Sequence, residues 1–208
     1  MTTISTWLEQ NIRLLREAGI SSARLDCLLL LEDEICKSRE WVLAHNEHEI
    51  TESHLLNLDK KVAQRARRIP LAHVRNTQEF YGRSFYVDGS VLVPRPETES
   101  IINLLKSSGF DTSSTIIDVG TGSGCISITT KLEFPQTRVI ATDLSEPALE
   151  VAQKNAQSLG ADITFLRSDL LSNLRNIPLG EPYVILANLP YVPDDLVTSP
   201  EITNEPQL

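Results

Sequence analysis

Apolar positions recur at helical spacing over roughly the first third of the chain and at strand spacing beyond it. Four helices are predicted, over residues 6–18, 24–36, 39–44 and 52–68, the first opening on Thr6 and Glu9 at capping-box spacing. Leu28, Leu29, Leu30 and Leu31 stand in succession and imply a well-buried second helix. Residues 74–93 alternate around Gly82 and Gly89 and read as a hairpin linker. Short apolar runs follow at 115–119, 137–142, 162–166 and 182–187, interleaved with helical stretches from Cys125 onward and over 146–159. That alternation is the signature of βαβ units around a parallel sheet. The chain thus divides into a helical part, 1–73, a hairpin, 74–93, and an α/β part, 94–208, without repeats or low-complexity tracts.

Gly120, Thr121, Gly122, Ser123 and Gly124 join the first of these strands to its helix, behind Asp118 and Val119. Glycine takes left-handed backbone angles cheaply and lets a ligand touch the main chain, as a turn passing under a cofactor requires. The helix start adds N–H donors and a partial positive charge, suited to a dinucleotide pyrophosphate or to the carboxylate of an amino-acid moiety. The glycines alone do not choose between them. Their spacing is G-x-G-x-G, and Cys125 occupies the place of the third glycine or alanine of a dinucleotide fingerprint, which favours S-adenosylmethionine.

Asp143 closes the second strand roughly twenty positions beyond Gly120, the offset of a ribose-binding acid. Asp169, within Ser168-Asp169-Leu170 at the end of the third strand, is a candidate for an adenine amino group, with Leu170 beside it in the cofactor site. The fourth strand delivers Asn188-Leu189-Pro190-Tyr191 to the same carboxyl edge, where open α/β sheets bind ligands. Plainer readings exist for several of these residues. Asp143 can be a solvated helix N-cap, Asp169 a turn residue, and Pro94-Arg95-Pro96 a rigid entry to a helix near Glu97. His45, His48, His54 and His73 lack metal-ligand spacing, so no metal site is expected.

Taken together, these motifs resemble the HemK/PrmC family of glutamine methyltransferases, which modify the Gly-Gly-Gln glutamine of peptide chain release factors. The resemblance covers essentially the whole chain. It rests on the glycine loop, on Pro94-Arg95-Pro96-Glu97-Thr98-Glu99, on Glu79-Phe80-Tyr81-Gly82 and on a helical N-terminal part running into Ile69-Pro70-Leu71-Ala72-His73. The six residues from Pro94 are the most discriminating. Two departures are visible: the family's usual Asn-Pro-Pro-Tyr is Asn188-Leu189-Pro190-Tyr191, and Asn76 stands where glycine is common. Asparagine tolerates left-handed angles, so the second change is mild.

The resemblance implies a Rossmann-like class I S-adenosylmethionine-dependent methyltransferase domain of α/β class, preceded by a helical bundle that helps recognise the release factor. An amide nitrogen shares its lone pair with the carbonyl, so orientation must compensate for its weak nucleophilicity. The expected clamp uses the Asn188 side-chain oxygen and a main-chain carbonyl near Leu189 or Pro190 to accept the two amide hydrogens. Tyr191 packs on the amide plane and Pro190 fixes the backbone. The rivals are a ribosomal-protein glutamine methyltransferase, an rRNA adenine methyltransferase, for which Asn-Leu-Pro-Tyr is also a known form, and a non-enzymatic module that only binds release factor.

Composition adds limits. Among 208 residues 41% are apolar and 23% charged, with neither a bilayer-length apolar run nor a secretory leader. Three cysteines without C-x-x-C spacing point to reduced thiols in the cytoplasm. A net charge of −9 opposes direct nucleic-acid binding. The basic cluster Lys60, Lys61, Arg65, Arg67 and Arg68 is expected to be a solvated helix face. Pro193, Pro200 and Pro206 follow Tyr191 and exclude further central strands. The expectation is therefore a C-terminally truncated catalytic domain with an apolar sheet edge, poorly soluble and inactive as it stands.

Overall fold

A computed structural model of the chain describes residues 2–175, 177–179, 182–189 and 206. Two compact units separate between Arg75 and Asn76.

The first unit contains β1 (Thr2–Thr3), α1 (Ile4–Glu17), α2 (Ala23–Ile35), α3 (Arg39–Ala44), β2 (Glu49–Ile50), α4 (Glu52–Ala66) and α5 (Leu71–Arg75). Its core gathers Ile4, Trp7, Leu15, Leu30, Leu31, Leu58 and Val62. In the leucine run Leu28, Leu30 and Leu31 are buried and Leu29 is half-buried. The first helix begins earlier than its capping-box pattern indicates. Thr3, in extended conformation, is the N-cap and its hydroxyl accepts the Thr6 N–H, because antiparallel pairing of β1 with β2 holds Thr3 out of the helix. Ser38 and Thr51 cap α3 and α4 in the same way.

The basic stretch is only in part a solvated face: Lys60 and Arg67 are exposed, but Lys61 and Arg65 turn inward. Arg65 is buried and donates through Nε to Asp26 at 2.7 Å, and Lys61 donates to Glu34 at 2.8 Å. The acids of α2 turn these cations inward. At the end of the unit Arg75 grips both oxygens of Asp33, at 2.7 and 2.9 Å.

The second unit begins with the hairpin β3 (Gln78–Phe80) and β4 (Arg83–Phe85), turned at Tyr81 and Gly82, both with positive φ. A 3-10 turn at Pro96–Thr98 leads into α6 (Glu99–Ser107). Then come β5 (Thr115–Val119), α7 (Cys125–Glu133), β6 (Arg138–Asp143), α8 (Glu146–Leu159), β7 (Thr164–Arg167) and β8 (Tyr183–Ala187). The four long strands form one parallel sheet in the order β7-β6-β5-β8. Every residue of β5 is buried, as expected for a central strand covered on both faces. One face packs Ile116, Ile128, Val139 and Ile102 with Phe80 and Phe85 of the hairpin. The other packs Ile117, Val119 and Ile140 against Leu174. Among the described residues β8 is a sheet edge, with Tyr183 and Ile185 exposed. No helix among them is long and apolar enough to cross a membrane.

Candidate active site

In a parallel sheet all strands end on the same edge, so the register of the strand pairs decides what meets there. Val119 pairs with Thr142 on one side and with Ala187 on the other, and Asp143 pairs with Arg167. Gly120, Asp143, Ser168 and Asn188 therefore emerge side by side.

The glycine loop is held from beneath. Gly120, Gly122 and Gly124 all have positive φ, which an L side chain adopts only with strain. A Cβ on Gly124 would lie 2.7 Å from Ile128 Cδ1, and one on Gly120 would lie 2.8 Å from Leu189 Cδ2. The second figure also shows that Leu189 lies against the loop. Asp118 is fully buried under the turn. Its Oδ2 accepts the Thr121 hydroxyl at 2.6 Å and the Ser127 N–H at 3.1 Å, while its buried Oδ1 has no partner. Burial without a cation pushes this carboxyl up to about 6, with Asp143 adding to the rise and the hydrogen bonds opposing it. The N–H groups of Cys125 and Ile126, at the first turn of α7, have no carbonyl within the helix to reach. Burial pushes the Cys125 thiol up to about 12, so it is not a nucleophile at neutral pH.

Asp143 is nearly buried and ties two turns together. Its Oδ2 accepts the Gly122 N–H and its Oδ1 the Ser145 N–H, both at 2.9 Å. The plainer reading of Asp143 as the N-cap of the next helix does not hold, because Ser145 caps α8 by accepting the Ala148 N–H. Each carboxylate oxygen retains accepting capacity beyond one N–H. Asp169 and Leu170 are exposed just past β7, Leu170 with positive φ. The Thr142 hydroxyl donates to the Leu170 carbonyl at 3.4 Å, which draws this turn toward the end of β6.

Asn188 is half-buried at the end of β8, and its Nδ2 donates to the Thr98 hydroxyl at 3.3 Å. Thr98 belongs to the run that begins at Pro94. Its neighbour Glu99 accepts the Tyr81 N–H at 2.8 Å, so that run braces both the hairpin turn and Asn188. Pro190 and Tyr191, the remaining residues of the expected clamp, lie outside the described residues.

Sequence reasoning missed Asp118 as a support, Thr98 as a neighbour of Asn188, and Asn155 altogether. The signal for Asp118 was available, since a charged residue inside an otherwise apolar strand must be satisfied from its surroundings. Nothing in the local pattern pointed to Asn155. Among the described residues no group of histidines, cysteines and carboxylates is placed to hold a metal ion.

A parallel sheet whose carboxyl edge carries a glycine loop, a strand-end aspartate and an Asn-Leu pair defines a Rossmann-like methyltransferase of class I. The family model described as "Methyltransferase small domain" matches residues 97–204, and "PrmC N-terminal domain" matches residues 6–75. A protein named release factor glutamine methyltransferase from Koribacter versatilis is 38% identical over 91% of this chain and 68% of its own length. One of the same name from Chlorobaculum tepidum is 36% identical over 90% of this chain and 67% of its own. Another, from Deinococcus radiodurans, is 35% identical over 97% and 72%. The chain belongs to the release factor glutamine methyltransferase family, and it spans about two thirds of the length of the first two of these relatives.

Proposed function

We propose that this chain transfers a methyl group from S-adenosylmethionine to the side-chain amide nitrogen of the glutamine in the Gly-Gly-Gln motif of peptide chain release factors. The observation that carries the reading is the contact of Leu189 with Gly120, beside the bond from Asn188 to Thr98. It supports the reading because the residue proposed to bind the amide follows β8 beside the turn proposed to hold the methyl donor.

The residues present fit that donor. The first turn of α7 would offer N–H groups for its carboxylate, Asp143 would offer acceptor positions for the ribose hydroxyls, and Asp169 and Leu170 would hold the adenine end. The glycines among residues 120–124 keep side-chain bulk out of its path, the Thr121 hydroxyl is bonded to Asp118 and Ser127, and Ser123 is buried. When bound, the donor supplies an electrophilic methyl on a sulfonium. Asn188 then orients the acceptor: with Nδ2 engaged by Thr98, its Oδ1 remains free to accept one hydrogen of the substrate amide. The proposed second acceptor is the Leu189 carbonyl; the roles expected of Pro190 and Tyr191 fall outside the described residues. Holding the nitrogen in line with the methyl carbon lowers the barrier by restricting approach, at best by roughly 7–11 kcal/mol. The nitrogen becomes acidic only after alkylation and loses its proton to water.

The partner is thus a protein, and the net charge of −9 gives a phosphate backbone little to bind. The proposed compartment is the cytoplasm, where Cys27, Cys36 and Cys125 stay reduced. Mass spectrometry of a Gly-Gly-Gln release factor incubated with an extended version of this chain and S-adenosylmethionine tests the reading. One methyl gained on that glutamine is expected, and an unmodified glutamine alongside methylation elsewhere would refute it. Asn188→Ala should abolish the gain and leave binding of S-adenosylhomocysteine intact.

A further inference from the structure

On α8, facing neither the reacting groups nor solvent, Asn155 is 1% exposed and makes three hydrogen bonds. Its Oδ1 accepts the Tyr86 N–H at 2.7 Å. Its Nδ2 donates to the Tyr86 carbonyl and to the Ser123 carbonyl, each at 2.9 Å. The orientation of the amide is unambiguous, because the flipped form would set an oxygen against two carbonyls. Toward Tyr86 the side chain behaves like a neighbouring strand, engaging both the donor and the acceptor of one residue. Its remaining hydrogen reaches into the glycine loop.

We infer that Asn155 is a positioning residue for cofactor binding, turning the Ser123 peptide of the glycine loop and anchoring it to the backbone just past β4. The inference rests on the methyl-donor reading above. A loop that directs N–H groups at a ligand must direct its carbonyls away from it, and a carbonyl sent into the interior needs a donor there. Asn155 is that donor for Ser123. The loop's other restraints come from the sheet side: Gly122 bonds to Asp143, and Gly120 and Thr121 donate to the Thr142 carbonyl. Asn155 supplies the restraint from the helix side, and it connects the loop to residues 83–87, which no motif associated with the cofactor. Phe85 and Val87 on either side of Tyr86 are fully buried, so the anchor is rigid. The Tyr86 ring lies under the Lys154 ammonium and its hydroxyl donates to Asp88, so that side chain does not face the loop. The Tyr86 backbone alone forms the link.

Calorimetric titration of the full chain with S-adenosylhomocysteine tests this. Asn155→Asp is nearly isosteric and can still accept from Tyr86, but it turns a carboxylate toward two carbonyls. Its affinity should fall at least tenfold at neutral pH and recover in part at pH 5.5, where protonation restores one donor. Tyr86→Ala keeps the backbone bonds and should bind within twofold of the wild type. Amide hydrogen exchange on the wild type provides a readout that needs no variant to fold: S-adenosylhomocysteine should slow exchange at Tyr86 together with residues 122–126. Unchanged affinity in a folded Asn155→Asp chain, or no ligand-dependent protection at Tyr86, would overturn the inference while leaving the methyl-donor reading intact. A wild-type chain that gives no heat would refute both.

Discussion

In the first unit the buried Asp26 faces the guanidinium of Arg65, whereas in the second the buried Asp118 faces the neutral donors of Thr121 and Ser127. The same residue type at the same depth is satisfied by a full charge in one place and by neutral donors in the other. Charge pairing joins α2 to α4 and serves packing. Neutral donors leave Asp118 raised to about 6, but they let it organise Thr121 and the start of α7 without bringing a cation beneath the turn. The helical unit is thus stabilised by strong pairwise links and local caps. The sheet unit concentrates its buried polar groups under one loop.

The largest expected effect breaks the first of these arrangements. Asp26→Ala removes the carboxylate bonded to the buried Arg65 guanidinium and should destabilise the helical unit by about 3–5 kcal/mol, read from urea denaturation. A loss below about 1 kcal/mol would mean that the pair is not buried in solution.

Next in size is the pH response of Asp118. Its folded value, about 6, lies above the ordinary 3.8, so between those values the native state binds a proton that the unfolded chain has released. Stability from this group is therefore highest below pH 4, falls as pH rises through 6, and is flat above, the whole change being about 3 kcal/mol. Asp118→Asn should remove that slope in denaturation curves recorded between pH 4 and 7. A slope that persists in the variant would assign the effect to another group.

Gly120→Ala introduces a Cβ at φ +71 and against Leu189. A backbone cost of roughly 1–2 kcal/mol is expected, together with weaker S-adenosylhomocysteine binding as the loop shifts. Smallest is Thr51→Ala, which removes the α4 cap and should lower the thermal stability of the helical unit by about 1 kcal/mol without touching cofactor affinity. If Thr51→Ala weakened cofactor binding as much as Gly120→Ala, the two regions would not be energetically separate.

Legibility in the sequence followed the range of the interactions involved. The strands around 115–119 and 138–143 announce themselves because a buried strand requires consecutive apolar residues, and the glycines because positive φ has few alternatives. Helix α1 starts two residues before the position its local pattern indicates because the deciding contact, β1 against β2, crosses more than forty positions. The inward turn of Lys61 and Arg65 was missed for the same reason, since on α4 alone they read as one basic run.

By its own pattern the chain determined the alternation of strand and helix, the glycine turn, the strand-end position of Asp143 and the tetrapeptide beginning at Asn188, all set by short-range sterics and periodicity. Only the tertiary structure decided that Leu189 rests on Gly120, that Thr98 receives Asn188, and that Asn155 joins the loop to Tyr86. Those contacts link residues far apart in the chain. They depend on sheet order and register, which long-range packing selects and no local run of residues encodes.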